Sequence, residues 1–128
     1  MTKKAINIVW FKRDLRFTDH EPLFRAQNEN IPTLFIYFFE PSVMHYPDSD
    51  VRHWRFVYES IQDLNAKLIP FSTEILIFHN EVQIVFEKLI SLYEVKNVFS
   101  HQEIGNKITF DRDLLMQAFF DKNNIHWY

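Results

Sequence analysis

Short apolar runs alternate with amphipathic stretches from one end of the chain to the other. Ala5 to Phe11, Thr33 to Phe39, Thr73 to Phe78, Asn97 to Ser100 and Ile125 to Tyr128 are rich in β-branched and aromatic residues and mostly continuous. That is the pattern of strands buried on both faces. Four helical patterns lie between them. The first opens at Asp19, with Glu21 and Pro22 in its first turn, and fades at Asn28 to Asn30. The second follows Asp48 to Asp50, places Trp54, Val57, Tyr58, Ile61, Leu64 and Leu68 at spacings of three and four, and stops at Pro70. The third begins at Asn80 with Gln83 three residues on, a capping-box-like start, and carries Val82, Val85, Phe86, Leu89 and Tyr93 on one face. Thr109 caps the fourth, with Asp111 and Asp113 in the first turn, Phe110, Leu114, Ala118 and Phe119 inward, and Asn123 and Asn124 at its close.

The resulting order, βαβαβαβαβ, predicts an α/β fold: a three-layer, doubly wound, Rossmann-like five-stranded parallel sheet with helices on both faces, formed by residues 1–128 as one domain. Ile8, Val9, Leu34, Ile36, Ile75, Ile77 and Val98 are its expected buried strand residues. Ligands of such sheets bind at the carboxyl ends of the strands. That directs attention to Lys12 to Arg16, Phe39 to Pro47, His79 and His101 to Lys107.

Composition narrows the chemistry. Gly105 is the one glycine, which excludes a Gly-rich phosphate loop, a dinucleotide fingerprint and a Gly-flanked nucleophilic serine. Cysteine is absent, so no disulfide, thiolate zinc site, iron–sulfur cluster or thiol nucleophile can form within these residues. The six histidines never stand one helical turn apart, and no metal site is expected. The net charge of −3 and the lack of a basic run make the domain a poor DNA binder by itself. No apolar stretch is long enough to span a bilayer, and the start MTKKAINIVW enters a strand without a cleavage pattern, so a cytoplasmic location and no membrane partner are expected. The end at His126, Trp127 and Tyr128 falls within an apolar strand, as in a fragment of a longer protein.

The passage VWFKRDLRFTDHEPL, residues 9–23, puts a dense charge cluster where a buried strand meets a capped helix. Read from physics alone, it is either a salt-bridged turn or part of a site. It resembles the opening of the DNA photolyase and cryptochrome family, which has a WFRRDLR-type motif. The matching residues are Trp10, Phe11, Lys12, Arg13, Asp14, Leu15 and Arg16, then Asp19, Pro22 and Leu23, with Lys12 in place of the commoner arginine. FIYFFEP (35–41) is similar to the family's second strand and its acidic-Pro exit, and WRFVYESIQDLNAKL (54–68) to the helix before its third strand. SHQEIGNKITFDRD (100–113) is similar to its H-x-E-T-G-x-x-x-T-x-x-RD segment, with Ile104 where threonine is usual.

The resemblance implies the antenna half of such a flavoprotein, which in many members holds a pterin, deazaflavin or flavin that passes excitation onward. The catalytic FAD and the DNA-lesion pocket then belong to a larger helical domain, the expected partner, and DNA is reached only through the whole protein. No catalytic residue is expected in these 128 residues. A chromophore would sit over the carboxyl ends of strands one, two and four, against Lys12, Arg13, Asp14, Phe38, Phe39, His101 and Glu103. Glu103 either accepts hydrogen bonds from the ring or pairs with Arg13 or Lys12. Phe38 and Phe39 either stack on it or fill the core. Gly105 suits a positive φ, and Arg112 and Asp113 suit structural ion pairs. The parent activity implied is light-driven repair of pyrimidine dimers. A blue-light signalling cryptochrome is the alternative within the family, and a small nucleotide-binding or structural α/β module the alternative outside it.

Overall fold

The computed structural model describes residues 3–12, 31–44, 51–71, 74–100 and 107–128. Five strands, β1 (Lys4–Phe11), β2 (Thr33–Phe38), β3 (Ile75–Phe78), β4 (Tyr93–Phe99) and β5 (His126–Trp127), form one sheet in the order β3-β2-β1-β4-β5. Every pairing is parallel. The described helices are α1 (Pro41–Met44), α2 (Val51–Leu68), α3 (Val82–Leu92) and α4 (Lys107–Lys122). The helix expected from Asp19 and the conformation of Gly105 lie outside the described residues.

The continuous apolar strands are explained by two separate cores. Along β1, Ile6, Ile8 and Trp10 face one side and join Ile36, Phe38, Val98, the buried stripe of α3, and Met116 and Phe120 of α4. Val9 and Phe11 face the other and pack with Tyr37, Phe39, Phe99 and the α2 stripe Val57, Ile61, Leu64 and Leu68. Both faces of the central strand are covered, so its sequence is apolar on both apart from the buried Asn7, whose Oδ1 accepts from Asn97 Nδ2 at 3.0 Å. No described helix is long and apolar enough to cross a membrane.

Several local expectations are corrected. The helix over Val82–Leu92 runs straight into β4, so Tyr93 opens a strand and does not continue a helical face. Lys96 is the extra residue of a bulge, since Ile6 pairs with Val95 and Asn7 with Asn97. It leaves Val95 and Val98 on the same side. No capping box forms at Asn80 and Gln83. Glu81 is the N-cap of α3, and its carboxylate instead accepts from the backbone N–H and Oγ of Ser42, at 2.8 and 2.9 Å. Thr109 lies inside α4, which starts at Lys107, and is buried there. Phe110 and Leu114 point outward, because Thr109, Met116 and Phe120 supply the buried face. Ile77 is 37% exposed and Leu34 only half-buried. Ile77 sits near the end of the edge strand, with a neighbour on one side only.

Two polar features hold elements in place. Asn65 on α2 mimics a strand partner, accepting from the Ile75 N–H at 2.6 Å and donating to its carbonyl at 3.3 Å. At the end of α4, Asn124 adopts φ 58°. The Ile125 N–H reaches the Phe120 carbonyl at 2.9 Å and the Asn124 N–H reaches Asp121 at 3.3 Å, a Schellman motif closed by the buried pair Phe120 and Ile125.

Candidate functional site

The strand order reverses direction between β1 and β4, and in parallel α/β sheets a crevice opens at the carboxyl ends of such a pair. Lys12 follows β1 at this edge and Ser100 follows β4. The Lys12 side chain is only 4% exposed. Its Nζ donates to Asp113 of α4, 3.3 Å from Oδ2 and 3.4 Å from Oδ1. The same ammonium lies 4.4 Å from the centroid of the Trp10 ring and 5.3 Å from that of Trp127. Cation–π attraction is strongest where water is excluded, so the aromatic faces help to hold a charge that burial would otherwise penalise.

Arg112, the neighbour of Asp113, extends this contact into a network. Its Nε donates to Asp113 Oδ1 at 3.0 Å and its terminal nitrogen to Glu40 Oε1 at 2.5 Å, while its guanidinium carbon lies 5.1 Å from the Trp10 centroid. Glu40 is itself buried and directly follows the β2 exit. Two cations and two carboxylates therefore meet on an indole floor, with no net formal charge among the four. Trp127 adds a hydrogen bond from its indole N–H to Ser100 Oγ at 2.8 Å, and the Ser100 N–H reaches the Tyr128 carbonyl at 3.2 Å.

Of the residues expected at a ligand, Lys12, Phe38 and Phe39 are described, and Arg13, Asp14, His101 and Glu103 lie outside the described residues. Phe38 is buried among Trp10, Phe78 and Phe86. Phe39 belongs to the opposite core, against Tyr37 and Trp54. The two rings lie on different faces of the sheet, so one planar ligand cannot stack on both. The ion-pair role read for Arg112 and Asp113 is present. Glu40 and Trp127 were not singled out as site residues; the acidic-Pro exit of β2 was the available signal for the first. Among the described residues, no group of three or more His, Asp or Glu could hold a metal ion.

Comparison with known proteins agrees with this architecture. A family model described as DNA photolyase matches residues 7–128. A cryptochrome DASH from Gloeobacter violaceus is 29% identical over 120 residues, which is 89% of this chain and 24% of that protein. A chloroplastic/mitochondrial cryptochrome DASH from Solanum lycopersicum is 30% identical over 106 residues, 78% of this chain and 18% of that protein. The chain thus spans about a quarter or less of the length of these relatives. Among solved structures, an archaeal photolyase from Sulfolobus tokodaii superposes with a TM-score of 0.84 at 20% identity, covering 95% of this chain and 28% of that one. A class III photolyase from Agrobacterium tumefaciens gives 0.77 at 20% identity, covering 100% and 26%. The five-stranded parallel sheet and the match over nearly all of its length make this chain a member of the DNA photolyase family, corresponding to the N-terminal α/β domain of photolyases and cryptochromes.

Proposed function

We propose that this domain binds the light-harvesting chromophore of a photolyase-type flavoprotein, whose whole chain repairs pyrimidine dimers in DNA with light. The observation that carries the reading is the reversal of strand order between β1 and β4, within a chain matched to the family from residue 7 to residue 128. The ligand is a pterin, deazaflavin or flavin. The archaeal photolyase with a similar fold carries two FAD molecules and is associated with a novel light-harvesting cofactor, which favours testing a flavin first. Arg13, Asp14, His101 and Glu103 are the proposed contacts, the cationic turn for a phosphate or polyglutamate tail and Glu103 for the ring. Lys12, Phe38 and Phe39 support the site from inside. The catalytic FAD and the lesion pocket belong to a further helical domain. A blue-light signalling role for the same domain is the second reading, favoured by a relative from Arabidopsis thaliana that is a blue-light photoreceptor.

The test is titration of flavin, deazaflavin and methenyl-folate against the protein and its Glu103→Ala variant. Weak binding lost on that substitution supports the reading, because a crevice open to water offers few contacts to offset the cost of ordering a ligand. Tight binding indifferent to Glu103 moves the pocket elsewhere, and no binding of any of the three overturns the reading.

A further inference from the structure

The geometry points to a positioning role for the Lys12–Asp113–Arg112–Glu40 network: it sets where the carboxyl ends of β1 and β2 stand against α4, and chromophore binding depends on that setting although none of the four groups touches the ligand. The inference deepens the chromophore-binding reading above and rests on it.

Three features of the network argue for this. Its members come from distant parts of the chain, Lys12 and Asp113 being 101 residues apart and Glu40 and Arg112 72 residues apart, yet all converge beside the strand-order reversal. Its four formal charges cancel among themselves, and directional bonds tie the four groups to one another. Its burial also makes it a poor device for stability alone, since apolar residues of similar volume usually hold a core as well as a buried ion network does. Directional bonds do something apolar packing does not. Arg112 bridges two carboxylates and Lys12 caps two indoles, which leaves little freedom for the strand ends to slide against the helix.

The double variant Lys12→Met with Asp113→Leu removes both members of the ion pair and leaves Arg112 paired with Glu40, and Lys107→Met with Asp111→Leu is the control, an exposed pair on the same helix. Each protein is unfolded in urea and titrated with flavin, deazaflavin and methenyl-folate, and the absorption band of the bound probe is recorded. The interior double variant is expected to keep the wild-type unfolding midpoint while binding about tenfold more weakly, with a displaced band. The surface control should match wild type in affinity and band position. Should the interior double variant not fold, Arg112→Lys takes its place, because it retains the charge and loses the fork that joins Glu40 to Asp113. Wild-type affinity and an unmoved band in a folded interior variant overturn the positioning role alone. Absence of binding by the wild-type protein overturns the chromophore reading and this inference together.

Discussion

Trp10 and Trp127 lie nearly parallel across the intervening strand, their ring centroids 5.8 Å apart and their planes 13° from coplanar alignment. Trp10 stands on the central strand and Trp127 on a two-residue edge strand that has little backbone pairing of its own. Offset stacking of this kind is favourable beyond simple burial. The edge of Phe120 meets Trp127 at 5.1 Å, so side chains rather than a long hydrogen-bond ladder fasten β5 to the sheet.

Removing one partner of the interior ion pair should be far more damaging than removing one on the surface. Asp113→Ala removes the carboxylate that the buried Lys12 ammonium and the Arg112 guanidinium share, and a loss of about 3 kcal/mol is expected. Asp111→Ala breaks the Lys107 pair, whose side chains are 86% and 52% exposed, and should cost about 0.5 kcal/mol or less. Urea unfolding of the two variants under one set of conditions gives the comparison; equal losses would contradict the buried network.

At the end of α4 the backbone itself is the target. Asn124 holds a left-handed conformation that a Cβ-bearing residue without a short polar side chain adopts poorly. Asn124→Gly should therefore match or exceed the wild-type melting temperature, and Asn124→Ala should fall by about 1 kcal/mol. A stabilising alanine would mean that the helix does not end in this motif.

The orientation of α4 can be read by substitution. Phe110→Lys or Leu114→Lys should change stability by less than about 0.5 kcal/mol and improve solubility, because both side chains are exposed. Met116→Ala should cost about 3 kcal/mol, since its side chain is fully enclosed. Chemical denaturation would expose the reverse ranking if the helix were rotated.

A polypeptide of these 128 residues should bind DNA weakly and lose that binding as salt is raised, in keeping with its net charge of −3. It should show no light-dependent repair of a thymine-dimer oligonucleotide. Repair by this polypeptide alone, followed chromatographically under illumination, would contradict the division of labour proposed here.

Strand and helix order were readable because runs such as Ile8 to Phe11 are apolar without interruption, a local signal that both faces are covered. The face of α4 was not. Its sequence puts Phe110, Leu114, Leu115, Met116, Phe119 and Phe120 around most of the helix, so periodicity could not say which side would be buried. The start of β4 was hidden for a related reason: Tyr93 falls four residues after Leu89 and prolongs the helical spacing, while the bulge at Lys96 breaks the strand's alternation. At the site, the ends of β1 and β2 were located from local pattern, but Lys12 with Asp113 and Arg112 with Glu40 are tertiary meetings that no spacing encodes.

The central position of β1 has a kinetic consequence. β2 can pair with it early, but its other neighbour arrives much later, with Asn7 bonded to Asn97 across 90 residues. Closing so long a loop is slow, and during synthesis one edge of the most apolar strand waits for β4. Until α4 and β5 follow, Trp10 also lacks the covering that Arg112 and Trp127 provide. The vulnerable species is therefore a half-sheet of β1, β2 and β3, prone to sticking to other chains, and substitutions that delay β4 should lower the yield of soluble protein even where the finished fold tolerates them.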